Sequence, residues 1–261
     1  MYRIIDTHAH LEEVEDLDLA LKRAEKAGVI AIITMGSDHP SNRWALEISE
    51  RQRSEKVKVY AALGIHPWGL DASKIDSALK FIRENITRAV GVGEIGLDYW
   101  LKDVRKDPEK RNRQKTVFRS LLEIARDHEK PTSIHSRGAW EDCLEIVREV
   151  GVERAVFHWF SGPSNVLKGL LKQNYFVSAT PAAVYSREHR IAIQMTPLEK
   201  LLLETDSPVK YRGETSEPAH ITKSLEAVAE LKGISKKTVA NRTTKNAKNL
   251  FKIMEFRIQE S

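Results

Sequence analysis

Short apolar runs alternate with longer amphipathic stretches along the whole chain, and several of the runs end in a polar residue. A strand that is buried on both faces appears in a sequence as a continuous apolar run. The longer stretches carry apolar residues three and four positions apart, the spacing of one helix face; Val117, Leu121, Leu122 and Ala125 form one such stripe. The pattern predicts eight strands, near residues 3–8, 29–35, 57–65, 89–95, 131–135, 154–158, 175–179 and 200–205.

The residues that start and end helices agree with this division. Gly28 and Gly151 are expected to end helices just before strands, because glycine readily adopts the left-handed conformation found there. Ser41 is expected to cap the start of a helix. Residues 217–258 are interpreted as wholly helical and would complete an outer ring of helices.

Eight strands, each followed by helical sequence within 261 residues, predict one (β/α)8 TIM barrel that spans residues 1–261 as a single domain. An open doubly wound sheet is the alternative, since it also alternates strands and helices. Ligand-type residues, however, follow the first, third, fourth, fifth, sixth and eighth predicted strands. Only a closed ring brings the first and eighth strands together, so the barrel is favoured, with its site at the C-terminal ends of the strands.

The polar residues at these strand ends form a metal-binding set. His8 and His10 are two residues apart, so on a strand their side chains share one face. Imidazoles combined with carboxylates suit zinc, manganese or similar divalent ions. The predicted metal ligands are His8, His10, Glu94, His135, His158 and Asp206.

This number of ligands exceeds what one ion with open positions would use, which predicts two divalent ions (Zn, Mg or Mn) bridged by a carboxylate. Glu94 is the predicted bridge, because it has two oxygens and a position midway round the ring. Asp206 is also expected to orient a nucleophilic water and accept its proton, so Glu94 and Asp206 are the predicted catalytic residues. The remaining ligands divide between the two ions, with His8, His10 and Asp206 on one and His135 and His158 on the other.

Residues beside the predicted ligands are candidates for substrate binding. His66 would contact a substrate phosphate, although a supporting role behind the ligands fits equally well. Arg137 follows His135 directly, and its guanidinium could clamp a phosphate in two-pronged fashion. The ring of Trp159 would stack on a base or pack against a loop, and the sequence favours neither. Asp98 is expected to order a loop or a histidine ring.

Other chemically capable residues are expected to be structural or solvated. Cys143 shares an apolar helical stripe and is predicted to be buried and inert. Four histidines lack the strand-end placement and are interpreted as surface or structural, namely His39, His128, His189 and His220. The basic C-terminal region is interpreted as a solvated face and comprises Lys236, Lys237, Arg242, Lys245 and Lys248. A second basic cluster, on the mouth side, is the better candidate for steering a polyanion and comprises Arg105, Lys106, Lys110, Arg111 and Arg113.

Composition adds modest constraints. The net charge of +5 and sequence pI of about 9.1 are compatible with a phosphate-bearing substrate, and equally with an ordinary solvated surface. A single cysteine excludes an internal disulfide and indicates a reducing compartment. No apolar stretch approaches the roughly 20 residues of a membrane span, and the first apolar run leaves no room for a signal peptide. A cytoplasmic protein with no membrane association and no obligatory protein partner is therefore expected.

Six segments of the chain together resemble the TatD family of metal-dependent hydrolases, within the amidohydrolase-like barrels. They are Asp6-Thr7-His8-Ala9-His10-Leu11, Gly64-Ile65-His66-Pro67, Gly93-Glu94-Ile95-Gly96-Leu97-Asp98-Tyr99, Ile134-His135-Ser136-Arg137, His158-Trp159-Phe160-Ser161-Gly162 and Glu204-Thr205-Asp206-Ser207-Pro208. The resemblance extends to Asn249-Leu250-Phe251. It implies a (β/α)8 barrel, a divalent-metal site built from the six ligands above, and hydrolysis of phosphodiester bonds in DNA.

The loop after the last predicted strand departs from the family pattern. The family often has Arg-Gly-Lys-Arg-Asn-Glu-Pro there, whereas this chain has Arg212-Gly213-Glu214-Thr215-Ser216-Glu217-Pro218. Arg212 is kept and is expected to bind substrate. The carboxylate of Glu214 would repel a phosphate, which argues against tight nucleic-acid binding by this loop.

The leading hypothesis is a TatD-type deoxyribonuclease that uses metal-activated water and acts on single-stranded DNA ends as an exonuclease. One alternative keeps the metals but changes the bond, as in a metal-dependent ester or amide hydrolase such as a D-aminoacyl-tRNA deacylase, because fold does not fix substrate. Another is a non-catalytic barrel that only binds nucleic acid. The complete set of ligand-type residues disfavours this last hypothesis.

Overall fold

The computed structural model describes residues 2–52, 55–68 and 70–253. Eight parallel strands alternate with helices, as the apolar pattern predicted. The strands are β1 (Ile4–Ala9), β2 (Val29–Met35), β3 (Lys58–Leu63), β4 (Gly91–Gly96), β5 (Thr132–His135), β6 (Ala155–Phe157), β7 (Phe176–Ala179) and β8 (Leu201–Leu203). A small antiparallel hairpin, β9 (Lys210–Tyr211) and β10 (Glu214–Thr215), follows β8.

Amphipathic helices connect the strands and surround the sheet. Their apolar stripes face inward, as for Val117, Leu121, Leu122 and Ala125, which are all buried. The helices are α1 (Leu17–Lys26), α2 (His39–Arg51), α3 (Ala72–Asn85), α4 (Pro108–Asp127), α5 (Trp140–Val150), α6 (Ser164–Lys172), α7 (Arg187–Met195), α8 (Ile221–Lys232) and α9 (Lys236–Phe251).

The sheet curves into a nearly closed barrel. Its strands pair in sequence order from β1 to β8, each parallel to the next. The ends of the sheet meet through the Asp206 backbone N–H, which donates to the His8 carbonyl at 2.9 Å, and through the Thr7 hydroxyl, which donates to the Leu203 carbonyl at 3.0 Å. The predicted (β/α)8 barrel is therefore confirmed, and the open sheet is excluded.

Helix α9 covers the N-terminal end of the barrel rather than joining the ring. Its residues Ala247, Leu250 and Phe251 share one apolar cluster with inward-facing strand residues such as Ile5 and Leu202. The expectation of continuous helix over 217–258 is wrong in one respect, because residues 233–235 separate α8 from α9. Residues 254–258 lie outside the described part of the chain.

The helix boundaries follow local chemistry. Gly151 ends α5 in the left-handed conformation at φ 80°, as predicted. The expectation that Ser41 caps α2 is wrong by three residues. The N-cap is Asp38, whose carboxylate accepts from the Ser41 backbone N–H at 2.9 Å, while the Ser41 hydroxyl accepts from the Asp38 N–H at 2.8 Å. Within the described residues, no helix combines the length and apolar character that crossing a bilayer requires.

Candidate metal centre

All strand-end ligand candidates lie at the C-terminal rim of the barrel, because the strands are parallel. His8 lies within β1 and His10 directly after it, while Glu94 belongs to β4 and His135 ends β5. His158 follows β6, and Asp206 lies three residues beyond β8. The barrel closure described above brings this last carboxylate beside β1.

Glu94 stands between two pairs of histidines and is only 2% exposed. Its Oε2 lies 3.3 Å from His8 Nε2 and 3.2 Å from His10 Nε2. Its Oε1 lies 2.8 Å from both His135 Nδ1 and His158 Nε2. Each carboxylate oxygen therefore faces a different pair, which is the arrangement expected of a bridge between two ions.

Asp206 joins the pair on the Oε2 side. Its Oδ1 lies 3.6 Å from His8 Nε2 and 3.7 Å from His10 Nε2. The residue adopts a left-handed backbone conformation, with φ 49°, which turns the chain sharply after β8. The structure thus brings all six predicted ligands together, with Asp206 on the side of His8 and His10.

The donor chemistry fits divalent cations. His8 Nε2 and His10 Nε2 face each other at 3.4 Å, and His158 Nε2 and His135 Nδ1 do so at 3.3 Å. At most one hydrogen bond can form between two such nitrogens, whereas a cation uses both lone pairs. Among the residues that the structure describes, three sets have all their donor atoms within 4.8 Å of one another: His8, His10 and Glu94; His8, His158 and Glu204; and His66, Glu94 and His135. Mixed nitrogen and oxygen donors suit zinc or manganese.

The electrostatics of the cluster are strongly perturbed. Burial opposes ionisation of Glu94, but the surrounding histidines hold its pKa well below its usual range. Burial lowers the pKa of His8 to about 4, with His158 adding to the effect. Burial also disfavours a charged His10, yet its hydrogen bond with Glu94 raises the pKa to about 9. Burial raises the pKa of Asp206 to about 7. Shifts of this kind concentrate at functional sites.

The family model described as TatD related DNase matches residues 5–252. The chain belongs to this family. It is 33% identical over 265 residues to the Bacillus subtilis protein named uncharacterized metal-dependent hydrolase YabD, covering 96% of this chain and 99% of that protein. It is 28% identical to the human deoxyribonuclease TATDN3, covering 98% of this chain and 97% of that one.

A solved structure supports the same assignment. The TatD homologue YJJV from Escherichia coli superposes with a TM-score of 0.86 at 25% identity, over 97% of this chain and 99% of that chain. The protein is thus a metal-dependent hydrolase of the TatD family.

Asp98 contacts one of the predicted ligands, His135, on the side away from Glu94, as the sequence suggested. Its Oδ2 accepts from His135 Nε2 at 3.0 Å, which leaves Nδ1 of that ring directed at Glu94. The same oxygen accepts from Arg137 Nε and from Trp68 Nε1, each at 2.8 Å. A carboxylate behind a ligating histidine fixes the ring orientation and makes the ligand more basic.

Glu204 is a functional candidate that the residue-by-residue reasoning missed. It is 1% exposed, its Oε1 accepts from the Trp159 backbone N–H at 2.9 Å, and the same oxygen lies 3.4 Å from His158 Nδ1. Within the described residues, its Oε2 is buried without a hydrogen-bond partner. The signal was present, because Glu204 directly follows the apolar run 201–203, as Glu94 follows its own.

The centre opens into a cleft of about 1210 Å³. His66, Arg137 and Trp159, all predicted to bind substrate, line this cleft. His66 also contacts the ligands, since its Nε2 lies 3.3 Å from Glu94 Oε1. The Trp159 ring packs against Tyr211 of the β9–β10 hairpin, with ring centroids 5.4 Å apart, and it also borders the cleft.

The loop carrying Arg212 is arranged differently from the prediction. Arg212 is outside the described lining of the cleft, and its guanidinium lies 4.6 Å from the centre of the Tyr185 ring. Glu214 pairs with Lys223 at 2.8 Å and with His220 at 3.5 Å. The charge that was expected to repel a phosphate is thus paired with the Lys223 ammonium, while burial lowers the pKa of His220.

The residues that were expected to be structural or solvated mostly occupy such positions. Cys143 is fully buried, and His189 is buried and hydrogen-bonded. His39, interpreted as surface or structural, lines the cleft beside Phe81. In the mouth-side basic cluster, Lys110 pairs with Asp103 at 3.0 Å. The C-terminal basic residues belong to α9, at the barrel end opposite the metal centre.

Proposed function

We propose that the protein is a divalent-metal-dependent phosphodiesterase that hydrolyses DNA from single-stranded ends. The observation that carries the proposal is Glu94, whose two oxygens face separate histidine pairs at the floor of a cleft. Two divalent ions held by the residues on either side of this carboxylate would suit in-line displacement at phosphorus. That relatives such as human TATDN3 are named deoxyribonucleases supports the choice of DNA.

The ligand assignment follows the two sides of the Glu94 carboxylate. The Oε2 side would hold one ion with His8, His10 and Asp206, and the Oε1 side the other with His135 and His158. When bound, such ions supply a water of lowered pKa and neutralise charge on the scissile phosphate. Glu204 would orient His158 from the Nδ1 side, where its Oε1 lies 3.4 Å away, a looser contact than the 3.0 Å hydrogen bond between Asp98 and His135 Nε2.

The chain's own groups would handle the proton and the substrate. Asp206 lies at the open side of the His8 and His10 pair and would accept the proton of the attacking water. Arg137, whose side chain is 41% exposed, would bind a phosphate oxygen while Asp98 holds its guanidinium in place. His66 would donate to a second oxygen at the cleft floor. A deep cleft favours a single strand, since duplex DNA keeps its phosphates on a rigid outer surface.

One observation favours a second candidate, hydrolysis of an ester or amide. Among the described lining residues, the Lys and Arg side chains are Lys74 and Arg137, and both pair with carboxylates, Asp71 at 3.5 Å and Asp98 at 2.8 Å. A cleft with so few unpaired cations also suits a neutral substrate, such as an aminoacyl ester.

The test is metal reconstitution with a substrate panel. Protein stripped by chelation is restored with Mg, Mn or Zn and given linear single-stranded DNA, closed single-stranded circles and an aminoacyl ester. We expect metal-dependent cleavage of the linear strand, little cleavage of circles, and loss of activity in Asp206→Asn but not in the exposed control Asp18→Asn.

Three other outcomes would contradict the proposal, each for a different reason. Equal cleavage of circles would refute action at ends. Turnover of the ester without DNA cleavage would select the second candidate. DNA binding that survives chelation, with no turnover under any metal, would indicate a non-catalytic barrel.

A further inference from the structure

Four of the five tryptophans in the chain line the cleft, namely Trp68, Trp100, Trp140 and Trp159. Two of them are unusually open, since Trp68 is 54% exposed and Trp100 is 60% exposed. Large apolar rings gathered on one exposed surface beside a functional centre mark a binding site. Trp68, Trp100 and Trp140 are called the aromatic wall below.

Trp68 is fixed in place beside the ligands. Its indole N–H donates to Asp98 Oδ2 at 2.8 Å, and the Arg137 guanidinium lies 5.5 Å from its ring centre. Its ring centroid lies 4.6 Å from that of His66 and 6.2 Å from that of His135. A planar group resting on Trp68 would therefore lie next to whatever is held at the metal centre.

Trp100 extends the wall away from the centre. Its backbone N–H donates to Asp98 Oδ1 at 3.0 Å, and its ring meets Trp140 edge-on, with centroids 5.8 Å apart. The ring rests on the backbone of Gly138, where a Cβ would lie 2.4 Å from Trp100 Cδ1. Gly162 supports Trp140 in the same way, since a Cβ there would lie 2.5 Å from Trp140 Cγ. The wall is thus held rigidly while its outer surface stays open.

The charges on the cleft walls disfavour a backbone track for a nucleic acid. The described lining contains four carboxylates outside the metal centre, from Glu13, Asp38, Asp71 and Glu188. The two basic side chains of the described lining, Lys74 and Arg137, are already paired with Asp71 and Asp98. Successive phosphates would meet net negative charge along these walls, whereas bases presented to exposed rings would gain stacking energy.

We propose that Trp68 and Trp100 stack unpaired bases of the substrate strand, next to the phosphate held at the metal centre. This inference rests on the proposed function and specifies its substrate as a strand with free bases. Stacking of this kind tolerates any base, because every base has a π face. Rings that are already ordered also lose little freedom on binding.

The energetic consequence is measurable as a change in KM. Replacing a stacking aromatic by alanine weakens nucleic-acid binding by about 5- to 150-fold per base. Because the stacked base is equally bound before and during the chemical step, kcat should change little. A group that positioned the reacting atoms would instead lower kcat.

The experiment compares matched oligonucleotides with and without bases. Metal-loaded wild type, Trp100→Ala and Trp100→Phe are assayed on a single strand of normal nucleotides. The same proteins are then assayed on strands with an abasic residue at each of the positions nearest the cleaved bond. Leu19→Ala, an exposed apolar residue on α1, is the control.

We expect Trp100→Ala to raise KM by at least about 5-fold on the normal strand, with kcat nearly unchanged. Trp100→Phe should recover most of the loss because it keeps a flat ring. The penalty should vanish on the strand that is abasic at the contacted position. Trp68→Ala should also raise KM, and Trp68→Phe, which keeps a ring but loses the hydrogen bond to Asp98, should recover most of that loss. If Trp68→Phe raises KM as much as Trp68→Ala does, the hydrogen bond rather than stacking is responsible.

The wild-type results separate this inference from the proposed function. If wild type cleaves the strands and Trp100→Ala shows equal KM, or an equal penalty on abasic strands, stacking is refuted while the phosphodiesterase stands. If wild type cleaves neither strand with any metal, the proposed function fails and the inference fails with it.

Discussion

Acidification should destabilise the protein through His189, a buried histidine behind the metal centre. Its Nδ1–H donates to the Phe160 carbonyl at 2.8 Å, and its Nε2 accepts from the Thr180 N–H at 3.1 Å. This arrangement fixes a neutral ring in one tautomer. A proton on Nε2 would face the Thr180 N–H and would have only the Thr180 hydroxyl, 3.4 Å away, as an acceptor. Burial lowers the pKa of His189 to about 4.

The direction and size of this loss of stability follow from the linkage between proton binding and folding. Because the pKa is 6.5 for the free side chain and about 4 in the folded protein, the unfolded state takes up the proton first as pH falls. The stability contribution is therefore complete above 6.5 and disappears as pH falls towards 4. One pKa unit corresponds to about 1.4 kcal/mol. The predicted loss from this residue is about 2 kcal/mol between about pH 7.5 and pH 5, with a limit of about 3 kcal/mol.

The assay is urea unfolding of metal-free protein at both pH values. His8 and His66 also have lowered pKa values, both about 4 and both caused first by burial, so wild type is compared with His189→Gln. The wild type should lose about 2 kcal/mol more on acidification than the variant does. The exposed His128→Gln serves as the control for removing a histidine. Equal losses in wild type and His189→Gln would refute the reasoning.

Three further predictions concern the metal centre. Glu204→Gln should weaken metal binding or activity by about 10- to 100-fold, measured by metal titration, because it removes the carboxylate beside His158 Nδ1; an unchanged affinity would contradict this role. Gly96→Ala should destabilise the fold by more than about 2 kcal/mol in urea unfolding, since its φ is 146° and a Cβ would lie 1.9 Å from the His135 carbonyl oxygen. Divalent metal at about 100 times its Kd should stabilise the apoprotein by about 2.7 kcal/mol per site in thermal unfolding, and less in His8→Gln; equal stabilisation of that variant would exclude His8 as a ligand.

The sequence predicted the barrel, and the gathering of the candidate ligands at its rim, for a shared physical reason. A histidine or carboxylate that ends or interrupts an apolar run is conspicuous in a buried strand, so His135 after Ile134 and Glu94 within β4 stood out. Closure of the ring then followed from the need to bring His8 and Asp206 together. These inferences used only local pattern and the geometry of parallel strands.

What could not be predicted depends on contacts between distant segments. The amphipathic pattern of α9 shows that one face is buried, but not that this face covers the N-terminal end of the barrel. Trp68 and Trp100 carry no local signal, because their placement depends on Asp98 and on the bare backbone at Gly138. Arg212 follows a family motif, yet the hairpin formed by β9 and β10 directs it to Tyr185.

The most direct test of the proposed two-ion centre is the metal content per chain of wild type and Glu94→Gln, measured after reconstitution and gel filtration, with DNA hydrolysis assayed on the same samples. Two ions per wild-type chain are predicted, with fewer in the variant and a loss of activity of more than about 100-fold. Two ions retained in active Glu94→Gln would contradict the bridging role of this carboxylate. Wild-type hydrolysis that persists after complete chelation would contradict the metal centre itself.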